Sequence, residues 1–257
     1  MFTDSHCHLN FPELQSRLPE IREAMAAARV TRALCICTTM EEFGDVHQLA
    51  LDHDNFWATV GVHPDTEHMT EPSVADLVER AALARVVAIG ETGLDYYGME
   101  DRKGGRTIAD LEWQRERFRV HIRAARQTQK PLVIHTRSAS DDTLAILREE
   151  GEDGSAGQAG GVFHCFTETM EVARAALDLG YYISMSGIVT FKNAQHLRDD
   201  IERNVARLEA PARPQTDGDR RIEVATRNMA DRIGHGDDGQ AESERDAEQA
   251  DPDVGKG

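Results

Sequence analysis

The chain has 257 residues, 40% of them apolar, and a formal charge of −17. That length suits one large α/β barrel or two small domains and is enough to bury a sizeable core. No stretch reaches the roughly 18 apolar residues of a membrane span. The start carries no basic segment leading into an apolar run, and the acidic balance argues against a broad basic DNA-binding face.

These bounds predict a cytoplasmic chain with no membrane partner and no obligate protein partner. Any phosphate-bearing substrate must then be held locally, by metal ions or a few basic side chains. The four cysteines, Cys7, Cys35, Cys37 and Cys165, form no C-x-x-C pair and read as small apolar residues of a reducing compartment. Only 4 lysines stand against 25 arginines, and scarce lysine with acid excess resembles salt-adapted proteins.

In chain order, short β-rich runs alternate with helical stretches. "FTDSHCH" opens as strand one. Then come "RALCICTT" (32–39), "FWATVGVHP" (56–64), "RVVAIGET" (85–92), "PLVIHTR" (131–137), "GVFHCF" (161–166) and "YYISMSG" (181–187). Six helical stretches lie between them. In the longest, Leu111, Phe118, Ile122 and Ala125 follow helical spacing. Strands alternating with helices imply a parallel sheet. The fold class is α/β, a (β/α)₈ TIM-type barrel with seven strands recognisable and the eighth not. An open doubly wound sheet is the alternative. "GEDGSAGQAGG" (151–161) lies between a helix and a strand, the reverse of a phosphate-cradling order, and reads as a flexible loop.

"NAQHLRDDIERNVARLE" (193–209) is a plausible helix, after which the composition changes. From 209 to 257 there is no Leu, Phe, Tyr or Trp, and 13 acidic residues face 7 basic ones. Such a segment cannot bury enough apolar surface to order itself. The expected organisation is a barrel over 1–208 and an acidic, disordered tail over 209–257.

Side chains two apart on a strand share a face, so His6 and His8 project together while Cys7 points away. Glu91 ends "VVAIGE", His135 ends "PLVIH" and His164 ends "GVFH". A carboxylate or imidazole where an apolar strand stops has little to offer packing, and at the C-terminal mouth of a barrel it faces the active site. Five such groups suit two divalent ions, with Glu91 able to bridge them. His63 closes "TVGVHP" and serves as an outer support, a substrate contact or a plain loop contact. His47, His53, His121 and His196 fall in helical stretches, His68 in a loop and His235 in the tail, and all read as solvated. Lys192 in "TFKN" reads equally as a phosphate contact or a surface lysine.

Six motifs, "FTDSHCHL", "GVHP", "IGETGLDYY", "PLVIHTR", "FHCF" and "SGIVTFKNAQHLRD", occur in an order and spacing that resembles the TatD-type deoxyribonuclease family, metal-dependent hydrolases of TIM-barrel fold. The resemblance covers about residues 1–200. It implies a two-metal phosphodiesterase that cuts DNA, single-stranded or at 3′ ends, in the 3′-5′ direction, with Mg, Mn or Zn. By position it implies that His6 and His8 bind one ion and His135 and His164 the other. Glu91 touches both and carries catalysis, while His63, Asp95, Tyr96 and Lys192 line the substrate site. A related ester or amide hydrolase, such as a misacylated-tRNA deacylase, and a metal-binding remnant without turnover are the alternatives.

One departure stands out. The family's last strand is apolar and ends in E-T-D-x-P, whose Asp is a metal ligand. Here Gln215-Thr216-Asp217 falls near that place, but "EAPARP" before it is no buried strand, so Asp217 is a weak substitute. Either the reading frame shifts near 205–210 or the strand is truly lacking. Translating the other two frames downstream of Ala206 separates these.

Overall fold

The strand-like runs pair into a single sheet in which every neighbour is parallel and the spatial order is the chain order, β1 to β7. In this computed structural model residues 1–99, 104–195 and 197–199 are described. The strands are β1 (Phe2–Cys7), β2 (Val30–Cys35), β3 (Phe56–Val60), β4 (Val86–Asp95), β5 (Leu132–Arg137), β6 (Gly161–Phe163) and β7 (Tyr182–Ile183). The helices are α1 (Pro12–Gln15), α2 (Leu18–Ala27), α3 (Phe43–Asp52), α4 (Val74–Ala81), α5 (Glu112–Thr128), α6 (Ser140–Glu149) and α7 (Met170–Asp178). A doubly wound sheet reverses its strand order at a switch point. Here the order never reverses, so the architecture is the curling β/α barrel. The segment around Asp217, where the sequence shows no eighth strand, and the rest of the tail over 209–257 lie outside the described residues.

Alternation assigns the two faces of the sheet. Ala33, Cys35, Cys37, Leu132, Ile134 and Phe163 join the large core between strands and helices. The intervening Ile36, Ala88 and Val133 form a separate inner cluster, with Leu34 and Val162 against it. No disulfide joins the cysteines among the described residues, and Cys7, Cys35 and Cys37 are buried. The helices cover the outer face through apolar stripes. Phe118, Ile122 and Ala125 of α5 are buried, as their spacing predicts, together with Leu111 in the 3₁₀ turn just before it. Helix α4 starts on a reciprocal cap between Ser73 and Asp76.

Most strands stop before their predicted ends. β3 closes at Val60, and "GVHP" continues as a loop in which the His63 N–H donates to the Thr38 carbonyl. β4 instead runs further, to Asp95, buried over nearly its whole length. The Gly-rich segment is also not the loose loop its composition predicts. It wraps around Glu152, fully buried, whose carboxylate accepts from the Ala159 and Gly160 N–H groups and the Tyr181 hydroxyl and pairs with Arg126. A buried carboxylate with four donors fixes the chain around it.

Candidate metal centre

The inner face continues directly into the candidate site. His135 lies two residues beyond Val133 and His164 two beyond Val162, so both project over the inner cluster. Glu91 breaks this rule. Strict alternation from Ala88 would turn it outward with Ile89. The pairing of β4 with β5 shifts register between Ile89 and Thr92, and such an irregularity re-aims a side chain. The Glu91 N–H donates to the Cys37 carbonyl at 2.9 Å, which ties it towards β2. Gly90 and Gly61 let the backbones meet. A Cβ on Gly61 would lie 2.5 Å from the Gly90 carbonyl carbon.

Glu91 is 3% exposed and five imidazoles surround it. Its Oε2 faces His6 Nε2 at 3.3 Å and His8 Nε2 at 3.9 Å. Its Oε1 faces His164 Nε2 at 2.6 Å, His135 Nδ1 at 3.2 Å and His63 Nε2 at 3.5 Å. The two carboxylate oxygens thus divide the histidines into two sets. Potential ligand atoms of His6, His8 and Glu91 lie within 4.8 Å of one another, as do those of His63, Glu91 and His135. The family resemblance sets His164 beside His135, whereas the second of these groups contains His63. His164 is nonetheless closest to Glu91 and stacks on His6, ring centroids 3.9 Å apart.

Asp95, buried at the end of β4, supports His135 from the other side. Its Oδ2 lies 3.3 Å from His135 Nε2, its N–H donates to the Gln114 side-chain oxygen and its Oδ1 accepts from the Tyr97 N–H. Tyr96 is buried beside it, and its hydroxyl donates to Asp142 Oδ2 at 2.7 Å and accepts from Arg115. Lys192 is exposed, after a 3₁₀ turn (Gly187–Thr190), and makes no hydrogen bond or ion pair to the histidine cage among the described residues.

The electrostatics suit a cation. Burial pushes His6 and His63 down to about 3, with neighbouring His164 adding to the effect at His6. Burial opposes ionisation of Glu91, yet His164, His6 and His63 hold it well below the usual carboxylate range. Burial also opposes charge on His135, but hydrogen bonds to Asp95 and Glu91 raise it to about 9. The two carboxylates therefore draw positive charge between them, and a divalent ion meets the same demand. The residues fit such an ion on a second count. Among the described residues, His6 Nδ1, His8 Nδ1 and His164 Nδ1 are buried without a hydrogen-bond partner. Imidazoles and a carboxylate suit Zn²⁺, Mn²⁺ and related ions.

One polar feature of this region escapes the sequence reading. His121, expected to be solvated, is fully buried and its Nε2 accepts from the Val62 N–H at 3.0 Å. Arg117, one turn earlier, is buried too. The signal was available, since positions 114, 117, 118, 121, 122 and 125 share one helical face.

No helix of the described residues is long and apolar enough to cross a membrane. The family described as TatD related DNase matches residues 3–208. The chain is 45% identical over 200 residues to the uncharacterized metal-dependent hydrolase YcfH of Escherichia coli (strain K12), covering 76% of this chain and 70% of that protein. It is 34% identical over 201 residues to the uncharacterized metal-dependent hydrolase TatD of Mycobacterium tuberculosis, covering 77% and 73%. Among solved structures, the TatD homolog YJJV from Escherichia coli K12 superposes with a TM-score of 0.67 at 28% identity, over 78% of this chain and 73% of that one. At 18% identity and a TM-score of 0.55, the phosphotriesterase homology protein from Escherichia coli, complexed with phosphate in its active site, shares the fold over 80% and 78%.

Proposed function

The chain belongs to the TatD related DNase family, and on that premise we propose that this metal-dependent hydrolase cleaves phosphodiester bonds of DNA, working from 3′ ends or on single strands with two divalent ions. The observation that carries the reading is the division of Glu91 between two sets of histidines, His6 and His8 on one oxygen and His63, His135 and His164 on the other. His6 and His8 would hold one ion and His135 and His164 the other, with Glu91 shared. Divalent ions held by these residues would supply Lewis-acid polarisation of a phosphoryl oxygen, activation of water and local attraction for a phosphate that the net charge repels.

The chain's own residues do the rest. Asp95 fixes the His135 ring plane and, through Gln114, ties it to α5. Tyr96, held by Asp142 and Arg115, forms a buried wall beside Asp95. His63 turns its Nε2 inward, where a substrate oxygen would lie. Lys192 would reach a phosphate only by moving its exposed side chain towards the cage.

The test is hydrolysis of a 5′-labelled single-stranded oligonucleotide with Mg²⁺ or Mn²⁺, run beside an aminoacyl ester. Shortening from the 3′ end is expected, lost with chelator and with Glu91→Ala. Ester cleavage without DNA cleavage would transfer the site to another substrate class. Metal binding without turnover on either would mark a remnant.

A further inference from the structure

Helix α5 presents two buried polar side chains, Arg117 and His121, to one short segment, residues 62–66. The His121 Nδ1 lies 2.8 Å from its own helix's Arg117 carbonyl, which can only accept, so Nδ1 carries the ring hydrogen. Its Nε2 then has the lone pair that accepts the Val62 N–H at 3.0 Å. Arg117 Nη1 donates to the carbonyls of His63 at 2.7 Å and Thr66 at 2.8 Å. Its Nε donates to Glu71 Oε2 at 2.8 Å, and Nη2 pairs with the other oxygen. The segment is therefore gripped on both sides of His63.

Within that grip the His63 ring has a defined tautomer. The Asp65 N–H donates to His63 Nδ1 at 3.1 Å. That nitrogen must hold a lone pair, so the hydrogen sits on Nε2, the atom turned to Glu91 Oε1 at 3.5 Å. A metal ligand has to present a lone pair. His63 presents a hydrogen instead, although its ring atoms lie among the potential ligands of the second set.

We propose that Arg117 and His121 are positioning residues that fix the 62–66 segment so that His63 offers an Nε2 hydrogen to a substrate oxygen rather than a lone pair to an ion. A buried guanidinium is costly to desolvate, and an apolar side chain would fill the same volume at no such cost. What the charge achieves is to hold two carbonyls of one loop, and the side chain of that loop which reaches Glu91 is His63. The identity of the substrate oxygen as a phosphate oxygen rests on the proposed function. The tautomer and the grip do not.

The experiment has a spectroscopic and a kinetic arm, both on the full chain. Long-range ¹H–¹⁵N spectra of histidine-labelled protein, with His63→Gln for assignment, report which His63 nitrogen carries the hydrogen. The expected result is an Nε2–H tautomer in the unaltered chain, mixed with Nδ1–H in His121→Leu and restored in His121→Gln, whose side-chain oxygen can still accept the Val62 N–H. An Nδ1–H tautomer in the unaltered chain overturns the proposal, and this measurement needs no variant beyond the assignment. In the kinetic arm, Mn²⁺-dependent cleavage of bis(para-nitrophenyl) phosphate should fall about 10- to 100-fold in His121→Leu, the range of outer-support losses, while Mn²⁺ affinity is unchanged. In a His63→Ala background the same substitution should cost less than about twofold, because the two act as one unit. A full, independent loss in that background overturns the proposal. Absence of any phosphodiester turnover contradicts the proposed function alone, and the spectra still decide the tautomer.

Discussion

Glu91 is where the sequence speaks most plainly. A carboxylate at the end of an apolar run of sequence has no packing purpose, and the same reasoning singles out His135 and His164. All three meet in space with His6, His8 and His63. His121 is easily overlooked for a different reason. Its partner, the Val62 N–H, is 59 residues away in the chain, and a helical histidine looks solvated until its neighbours on the buried stripe are counted with it. This residue also sets a pH dependence. Burial, the largest effect, pushes His121 from 6.5 down to about 4. As pH falls the unfolded chain takes up this proton first. The stabilisation is complete above the unfolded value and is lost as pH drops from about 6.5 to about 4. The loss amounts to about 3 kcal/mol over the window. Denaturant unfolding of His121→Gln against the unaltered chain should show that part of the slope removed. Parallel slopes would mean that His121 is not buried neutral.

At the scale of elements, the strands were legible from their apolar runs, and their ends were not. Where a run leaves the ladder to enter the site, local propensity stays β-like while the hydrogen bonds go elsewhere, as in "GVHP" with the Thr38 carbonyl. The register shift in β4 was equally hidden, because it arises from pairing with β5. Its neighbour Gly61 can be tested. A Cβ there would meet Gly90 backbone atoms at 2.5, 2.6 and 2.8 Å. Gly61→Ala should cost about 1–3 kcal/mol, seen as a lowered melting temperature, and should weaken metal binding by displacing Glu91. An unchanged melt would show that the strands can part freely. Composition misled at residues 151–161, where nine of eleven residues are polar or glycine and hide one organising carboxylate. Glu152→Ala removes it from Arg126, Tyr181 and two backbone donors and should destabilise by about 3 kcal/mol. Limited proteolysis within 153–160 should accelerate. Equal cleavage rates in both chains would contradict this role of Glu152.

For the whole molecule, alternating β and α runs made the barrel class legible, and the strand order decides it against the doubly wound alternative. The family match ends at residue 208, where the composition changes. Among the described residues β1 and β7 each pair on one side only, and both carry an exposed aromatic, Phe2 and Tyr182. Net charge acts on the same scale. At −17, self-repulsion opposes compactness, while exposed pairs such as Arg123–Glu116 contribute about 0–1 kcal/mol each. Salt screens both, and the larger repulsion predicts a melting temperature that rises from low to molar KCl. A flat or falling trend would contradict this.

The central claim is that Glu91 gathers the histidines into a two-ion site. The most direct measurement is calorimetric Mn²⁺ binding to the chain and to Glu91→Gln, which keeps size and shape but removes the charge. Two ions per unaltered chain are expected, with affinity reduced about 100-fold or more in the variant, since even outer supports of metal ligands are worth 10–100-fold. Unchanged Mn²⁺ binding by Glu91→Gln would contradict the account.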